Sequence, residues 1–405
     1  MQPTARWRNW LLLIVCACGS LFAFGFSVIL LISGISGLLG THFPSTEMVS
    51  FFNLAWVSGL VGGLCLPGVV LNVQELRGKT YPAPQKRRSF LFASAAMLLW
   101  AVLALLFHTV ETSRLAWLLL PPLIVLVTII PIWWFIEIAS RGLDPGPPAR
   151  TWGMIGFSLV FTLPLTLLIS VLVLAVLLVG AGIFLSTQPG MVEQMTRVTQ
   201  LLANPETDPQ IILDLFSSWL QQPGVILAVL TLVAGVFPML EEFLKPLAVW
   251  LFAGERLNPA QGFIGGALCG GGFALWENLT VLSTAGDGSG TTILLGRAGT
   301  ALLHVVTAGI VGWGMVSAWQ DRPNLLRLVG AYLAAILLHG GWNFFGLFAG
   351  IAPLLHLPEE LPGLAETIGS SALAILFAMV ILNLILLVWI NFHLRKKQGA
   401  SNDTI

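Results

Sequence analysis

Residues 231–252 read TLVAGVFPMLEEFLKPLAVWLF. Apart from Thr231, Glu241, Glu242 and Lys245, every side chain in this stretch is apolar. A run of that kind meets the roughly 20 residues needed to cross a hydrocarbon core about 30 Å thick. A charge at bilayer mid-depth costs about 2.5–3.5 kcal/mol on insertion scales. The segment is therefore a membrane helix that must either offset its three charges or use them.

The rest of the chain agrees with a polytopic, all-α membrane bundle. Of 405 residues, 56% are hydrophobic and only 9% charged, whereas soluble domains carry about 25% charged residues. The mean hydropathy is +0.89. A net charge of zero argues against a nucleic-acid partner. Ten spans are predicted, at about 10–36, 50–72, 89–108, 116–138, 152–184, 224–252, 260–283, 293–319, 325–350 and 370–394. The fifth is overlong, which predicts a steep tilt or a partly interfacial segment.

Basic residues orient the bundle. Arg6 and Arg8 precede the first span; Arg77, Lys79, Lys86, Arg87 and Arg88 fill the second loop, and Arg141 and Arg150 the fourth. Arg256, Arg322, Arg327, Arg395, Lys396 and Lys397 fall on the same side of a ten-span chain. Of the 19 basic residues only Arg114 and Arg197 lie in opposite loops, and Lys245 and Arg297 lie inside spans. By the positive-inside rule both termini are cytoplasmic. Arg6 and Arg8 before an apolar run also fit a secretory signal, but the run is long for one, and a retained first helix is expected. Cys16, Cys18, Cys65 and Cys269 all fall in spans without a CxxC, so neither a disulfide framework nor a thiolate metal site is indicated.

Polarity divides the chain into four regions. Residues 1–184 form a five-helix region whose spans are almost free of ionisable groups, and an accessory role is assigned to it; Glu137 is placed near the cytoplasmic interface. Residues 185–223 form an extracytoplasmic loop with two amphipathic segments, one carrying Met191, Val192, Met195, Val198, Leu201 and Leu202, the other running from Ile211 to Leu220. Residues 224–350 hold four spans that carry Glu241, Glu242, Lys245, Glu277, Arg297, His304 and His339. Residues 351–405 supply an outer loop, the last span and a cytoplasmic tail.

Spacing in the third region arranges these groups. Glu241 and Lys245 are four apart, in the favoured order for an ion pair on one helical face. Pro238 and Pro246 each remove a backbone donor beside the glutamates, which suits a locally wet cavity. Gly262, Gly266, Gly270 and Ala274 recur every four residues and predict close helix approach. Phe273 and Glu277 share a face, Arg297, Thr300, His304 and Thr307 lie near one stripe, and His339 and Asn343 are again four apart. Each burial is separately unfavourable, so two carboxylates, two imidazoles and an amide on successive helices point to a site. The set suits hydrolysis, with a carboxylate activating water and imidazole or amide groups donating to the oxyanion. The four helices are predicted to converge, bringing Glu241 or Glu242 within about 8 Å of His304, His339 or Glu277.

The ordered set Glu241-Glu242-x-x-Lys245, Phe273-x-x-x-Glu277, His304 and His339-x-x-x-Asn343 resembles the PrsW family of intramembrane proteases, which is similar to the wider CAAX-prenyl-protease superfamily. The resemblance covers about 225–350. It implies proteolysis of a transmembrane protein substrate within a lipid bilayer, with anti-sigma factors the known type of target, and residence in a bacterial cytoplasmic membrane. By motif position, Glu241 and Glu242 would bind and activate water, and His339 with Asn343 would stabilise the oxyanion. Glu277 stands where the wider superfamily has His, leaving it as base, proton shuttle or metal ligand. Lys245 and Phe273 would give structural support.

Two questions stay open in the sequence. Metal-free glutamate catalysis, with no cofactor required, is favoured; the alternative is a divalent metal such as zinc held by His304, His339, Glu242 and Glu277. The other function class is a proton- or cation-coupled transporter using the buried glutamates, although it gives no task to two histidines. HExxH is absent, Gly34-Ile35-Ser36-Gly37 matches a rhomboid-type GxSG without a partner motif, and Asp287 has no second intramembrane Asp.

Overall fold

The computed structural model describes residues 3–40, 46–79, 86–187, 191–204, 211, 223–284, 290–320, 324–351 and 364–402. The first helices are α1 (Pro3–Gly40), α2 (Thr46–Leu76), α3 (Lys86–Glu111) and α4 (Ala116–Ser140). A long fifth span follows as α5 (Pro148–Phe157), a π-helical turn at Ser158–Thr162, and α6 (Leu163–Ser186). Beyond α7 (Met191–Ala203), the sixth span is built from α8 (Pro223–Thr231), a second π-turn at Leu232–Val236, α9 (Phe237–Leu244) and α10 (Leu247–Trp250). The last four helices are α11 (Pro259–Thr284), α12 (Gly290–Gln320), α13 (Leu325–Ile351) and α14 (Leu364–Asn402). Of the two amphipathic segments expected in the outer loop, the first is α7; the second, apart from Ile211, lies outside the described residues.

Among the described residues, nine helices are long and apolar enough to cross a membrane. The remaining predicted span, at 260–283, corresponds to α11, whose 26 residues fall within the 24–36 of the others. Its glycines, together with Glu277 and Asn278, dilute its apolar character. It does not need that character, because residues 262–275 are all buried inside the bundle. Lipid is met by other helices, such as α6, where Leu167, Leu168, Val171 and Leu172 are exposed.

The two π-turns share a cause. Each ends two residues before a proline, Pro164 in one case and Pro238 in the other. A proline cannot donate to the carbonyl four residues back, and widening the turn by one residue is a local accommodation. The Leu163 and Phe237 amides accordingly reach back to Ser158 and Leu232. The fifth span thus runs as one long rod through a π-turn, with its first half packed and its second half exposed.

Small residues set the packing around α11. A Cβ on Gly262, Gly266 or Gly270 would come within 2.5, 2.0 or 2.1 Å of the carbonyl oxygens of Gly312, Ala308 and His304 in α12. The four-residue glycine row therefore lies directly on α12, as its spacing predicted. The opposite face of α11 receives the first half of the chain: Gly271 meets Ile136 and Ile132 of α4, and Ser158 Oγ donates to the Cys269 carbonyl at 2.8 Å.

Four of the basic residues assigned to one side of the membrane, Arg8, Arg141, Arg150 and Arg395, gather at one end of the bundle. Arg8 pairs with Glu255, Arg150 lies 4.0 Å from the same carboxylate, and both guanidinium groups sit over the Phe252 ring. Arg395 lies against Gly142, beside Arg141. Glu137 is bonded by Ser89 and Trp133 near that end. Asn391 of α14 donates to the carbonyls of Ala139 and Arg141, at 3.0 and 2.9 Å, closing the end of α4.

Candidate active site

Glu241, Glu242 and Lys245 stand on α9 and the turn that ends it. Pro246, at φ −82° and ψ 19°, breaks the helix directly after Lys245. The break is short, since Lys245 N still donates to Glu241 O and Val249 N to Pro246 O, both at 2.8 Å. α9 is therefore an eight-residue helix bounded by a π-turn and a proline turn.

Lys245 Nζ lies at the centre of the site. It donates to Glu242 Oε1 at 2.7 Å and His304 Nδ1 at 2.8 Å, and lies 3.2 Å from Glu241 Oε2. Those three acceptors match the three donors of an ammonium group. His339 Nδ1 is 3.3 Å from Nζ, and the Phe273 ring centroid is 4.8 Å from it. Glu242 and Lys245 are fully buried, His304 and His339 nearly so. A buried carboxylate–ammonium pair of this kind is costly to split, by about 3–5 kcal/mol when one partner is removed.

The histidines are oriented by carboxylates. His304 accepts from Lys245 at Nδ1, so its Nε2–H donates to Glu277 Oε2 at 2.9 Å. His339 Nδ1 lies 2.8 Å from Glu242 Oε1, and its Nε2 is 3.7 Å from Glu241 Oε2. The two imidazole rings meet edge to face at 5.1 Å, and Phe273 meets His304 in the same way at 5.3 Å.

The expected convergence is thus present for five of the residues singled out in the sequence. Glu277 joins through His304. Its second partner is Arg297, whose Nη2 is 2.7 Å from Glu277 Oε2 and whose Nε donates to Asn278 at 2.6 Å. That Arg297–Glu277 pair was missed in the sequence, although Arg297 lies two turns from His304 on the same stripe. Asn343 stands apart from the central cluster. Its Nδ2 donates to Val233 O at 2.9 Å. Val233 is left without a backbone donor because Phe237 N bonds Leu232 instead and Pro238 has no N–H. Gly340, one turn earlier, allows α13 to approach the same π-turn, since a Cβ there would lie 2.2 Å from Ala234 O.

Glu242 Oε2 is buried and has no hydrogen-bond partner among the described residues. Buried polar atoms are nearly always satisfied, so an unpartnered carboxylate oxygen inside a cluster marks a position for water or a ligand. Glu241, His304 and His339 also each offer a ligand atom within 4.8 Å of the others. In donor type they suit a divalent ion. As the side chains stand, however, Lys245 Nζ occupies the space between them, and a metal does not fit beside it.

The fold and the cluster define a multi-pass helical membrane protein with a buried carboxylate–imidazole cluster. A family model described as PrsW family intramembrane metalloprotease matches residues 151–390, more than half of the chain, and the chain belongs to that family. It is an intramembrane protease, acting on membrane proteins within the bilayer. No curated protein and no solved structure matches it. The family's description names a metalloprotease, so the expectation that no cofactor is required finds no support there.

Proposed function

We propose that the protein hydrolyses a peptide bond of a single-span substrate at the Glu241–Glu242 level, with anti-sigma factors the class of target and a bacterial cytoplasmic membrane the setting. The observation that carries this reading is the unpartnered Glu242 Oε2 beside a charged and imidazole-lined cluster. Water held at that oxygen attacks the scissile carbonyl carbon while a carboxylate takes its proton. The developing oxyanion is stabilised by His339, while Asn343, engaged with Val233 O, acts as a positioning residue for the turn before α9. The proton then passes to the leaving nitrogen, yielding a free carboxylate and an amine. Glu277 acts through His304, as a positioning residue, and the first five spans serve as an accessory frame.

Cleavage of a co-expressed single-span substrate tests the proposal. Glu242→Gln and His339→Ala are expected to lower the rate by at least about 100-fold at unchanged protein level. Wild-type rates in both variants would overturn the assignment.

A further inference from the structure

We propose that Lys245 is a tethered cation that holds the position a divalent ion would take, so that ion and ammonium exclude one another. This does not rest on the cleavage mechanism above; it rests on the geometry around Nζ. Glu241 Oε2, His304 Nδ1 and His339 Nδ1, one atom from each member of the trio with metal-binding spacing, lie 3.2, 2.8 and 3.3 Å from the lysine nitrogen; His339 Nδ1 becomes a ligand atom when the proton it gives Glu242 Oε1 moves to Nε2. An ion bonded to those atoms at about 2.0–2.2 Å would occupy the same volume. The remaining neighbours reinforce the ammonium, with Glu242 at 2.7 Å and the Phe273 ring face at 4.8 Å.

The charges balance in the same sense. Glu241, Glu242 and Glu277 face Lys245 and Arg297, leaving one formal negative charge in excess. Replacing the ammonium by a divalent ion neutralises that excess; holding both would place two cations at contact distance in a buried site. His304 also fits either occupant. Its Nε2–H is held by Glu277, which leaves the Nδ1 lone pair aimed at the centre, as a metal-bound imidazole backed by a carboxylate would be.

The test compares zinc binding to purified full-length protein, by competition with a chelating dye, and thermal unfolding with and without zinc. If the ammonium holds the centre at least nine-tenths of the time, wild-type affinity is lowered at least about tenfold relative to the open site. Lys245→Met is therefore expected to bind one zinc at least about tenfold more tightly than wild type, and zinc is expected to raise its unfolding temperature. Lys245→Arg keeps a cation and should bind as weakly as wild type. Lys245→Met combined with His304→Ala should lose the gain. Equal zinc affinity in wild type and Lys245→Met would overturn the inference, as would an absence of zinc binding in both. Failure of Lys245→Met to accumulate even with zinc in the growth medium would also count against it, because the ion would then not replace the ammonium. Substrate cleavage is scored separately, so loss of the protease mechanism leaves this result standing.

Discussion

At the scale of single residues, the site is a chain of carboxylates and imidazoles graded by burial. Glu242 is fully buried, with one oxygen bound to Lys245 and His339 and the other unpartnered. Glu277 is at the margin, with a third of its side chain exposed and both its contacts directed to His304 and Arg297. The two carboxylates therefore contribute differently. Glu277→Gln retains an oxygen that accepts from His304 and is expected to lower cleavage by only about tenfold, against at least about 100-fold for Glu242→Gln. A ratio measured on the same substrate checks this; equal losses would mean that Glu277 touches the reacting water itself. Most of this site was legible in the sequence, because in so apolar a chain every charged residue inside a span stands out. Beyond the Glu241–Lys245 pair, the individual partners of those residues were not. Arg297 reads only as a polar residue on the His304 stripe until α11 and α12 are packed together, and the bond from Asn343 to Val233 depends on a carbonyl that only a π-turn exposes.

At the scale of elements, the glycine row of α11 governs where His304 sits. The missing side chain at Gly270 allows α11 to lie against the His304 carbonyl itself. Gly270→Ala must push the two helices apart; overpacking of this kind costs typically about 1–3 kcal/mol, and here the displaced backbone carries His304. Unfolding in detergent should show that loss of stability, with cleavage reduced alongside it. Gly296→Ala, at an open position on α12, should change neither. The four-residue glycine spacing was readable because it follows helical period. The π-turns were not, since a uniformly apolar run carries no mark of its own pitch, and Pro164 and Pro238 are their only trace.

At the scale of the whole molecule, one end of the bundle is tied and the middle is reactive. Arg8 of α1 and Arg150 of α5 converge on Glu255, which lies in the turn between α10 and α11. Asn391 of the last long helix fastens the end of α4. The first tie joins the first half of the chain to the helices that bear the site, and the second joins it to α14. The sequence predicted the common side of these loops through charge bias alone, but not that α11, whose glycines and polar residues dilute its apolar character, would be enclosed over all of residues 262–275.

The short helix α9, between its π-turn and its proline turn, acts as a mechanical insulator. Bilayers of different thickness tilt and strain long spans, and in a continuous helix that strain would travel as a rigid rotation into any side chain along it. Here α8 can lean on the outer side of the Leu232–Val236 turn, which α13 holds through Asn343 and Gly340, while Glu241 and Glu242 stay clamped by Lys245, His304 and His339. Cleavage in vesicles whose acyl chains range from about 14 to 20 carbons is therefore expected to vary less than about threefold. Pro238→Ala, which restores a backbone donor at the joint, should make the rate strongly thickness-dependent. An enzyme built this way keeps its geometry across membranes whose thickness it does not control.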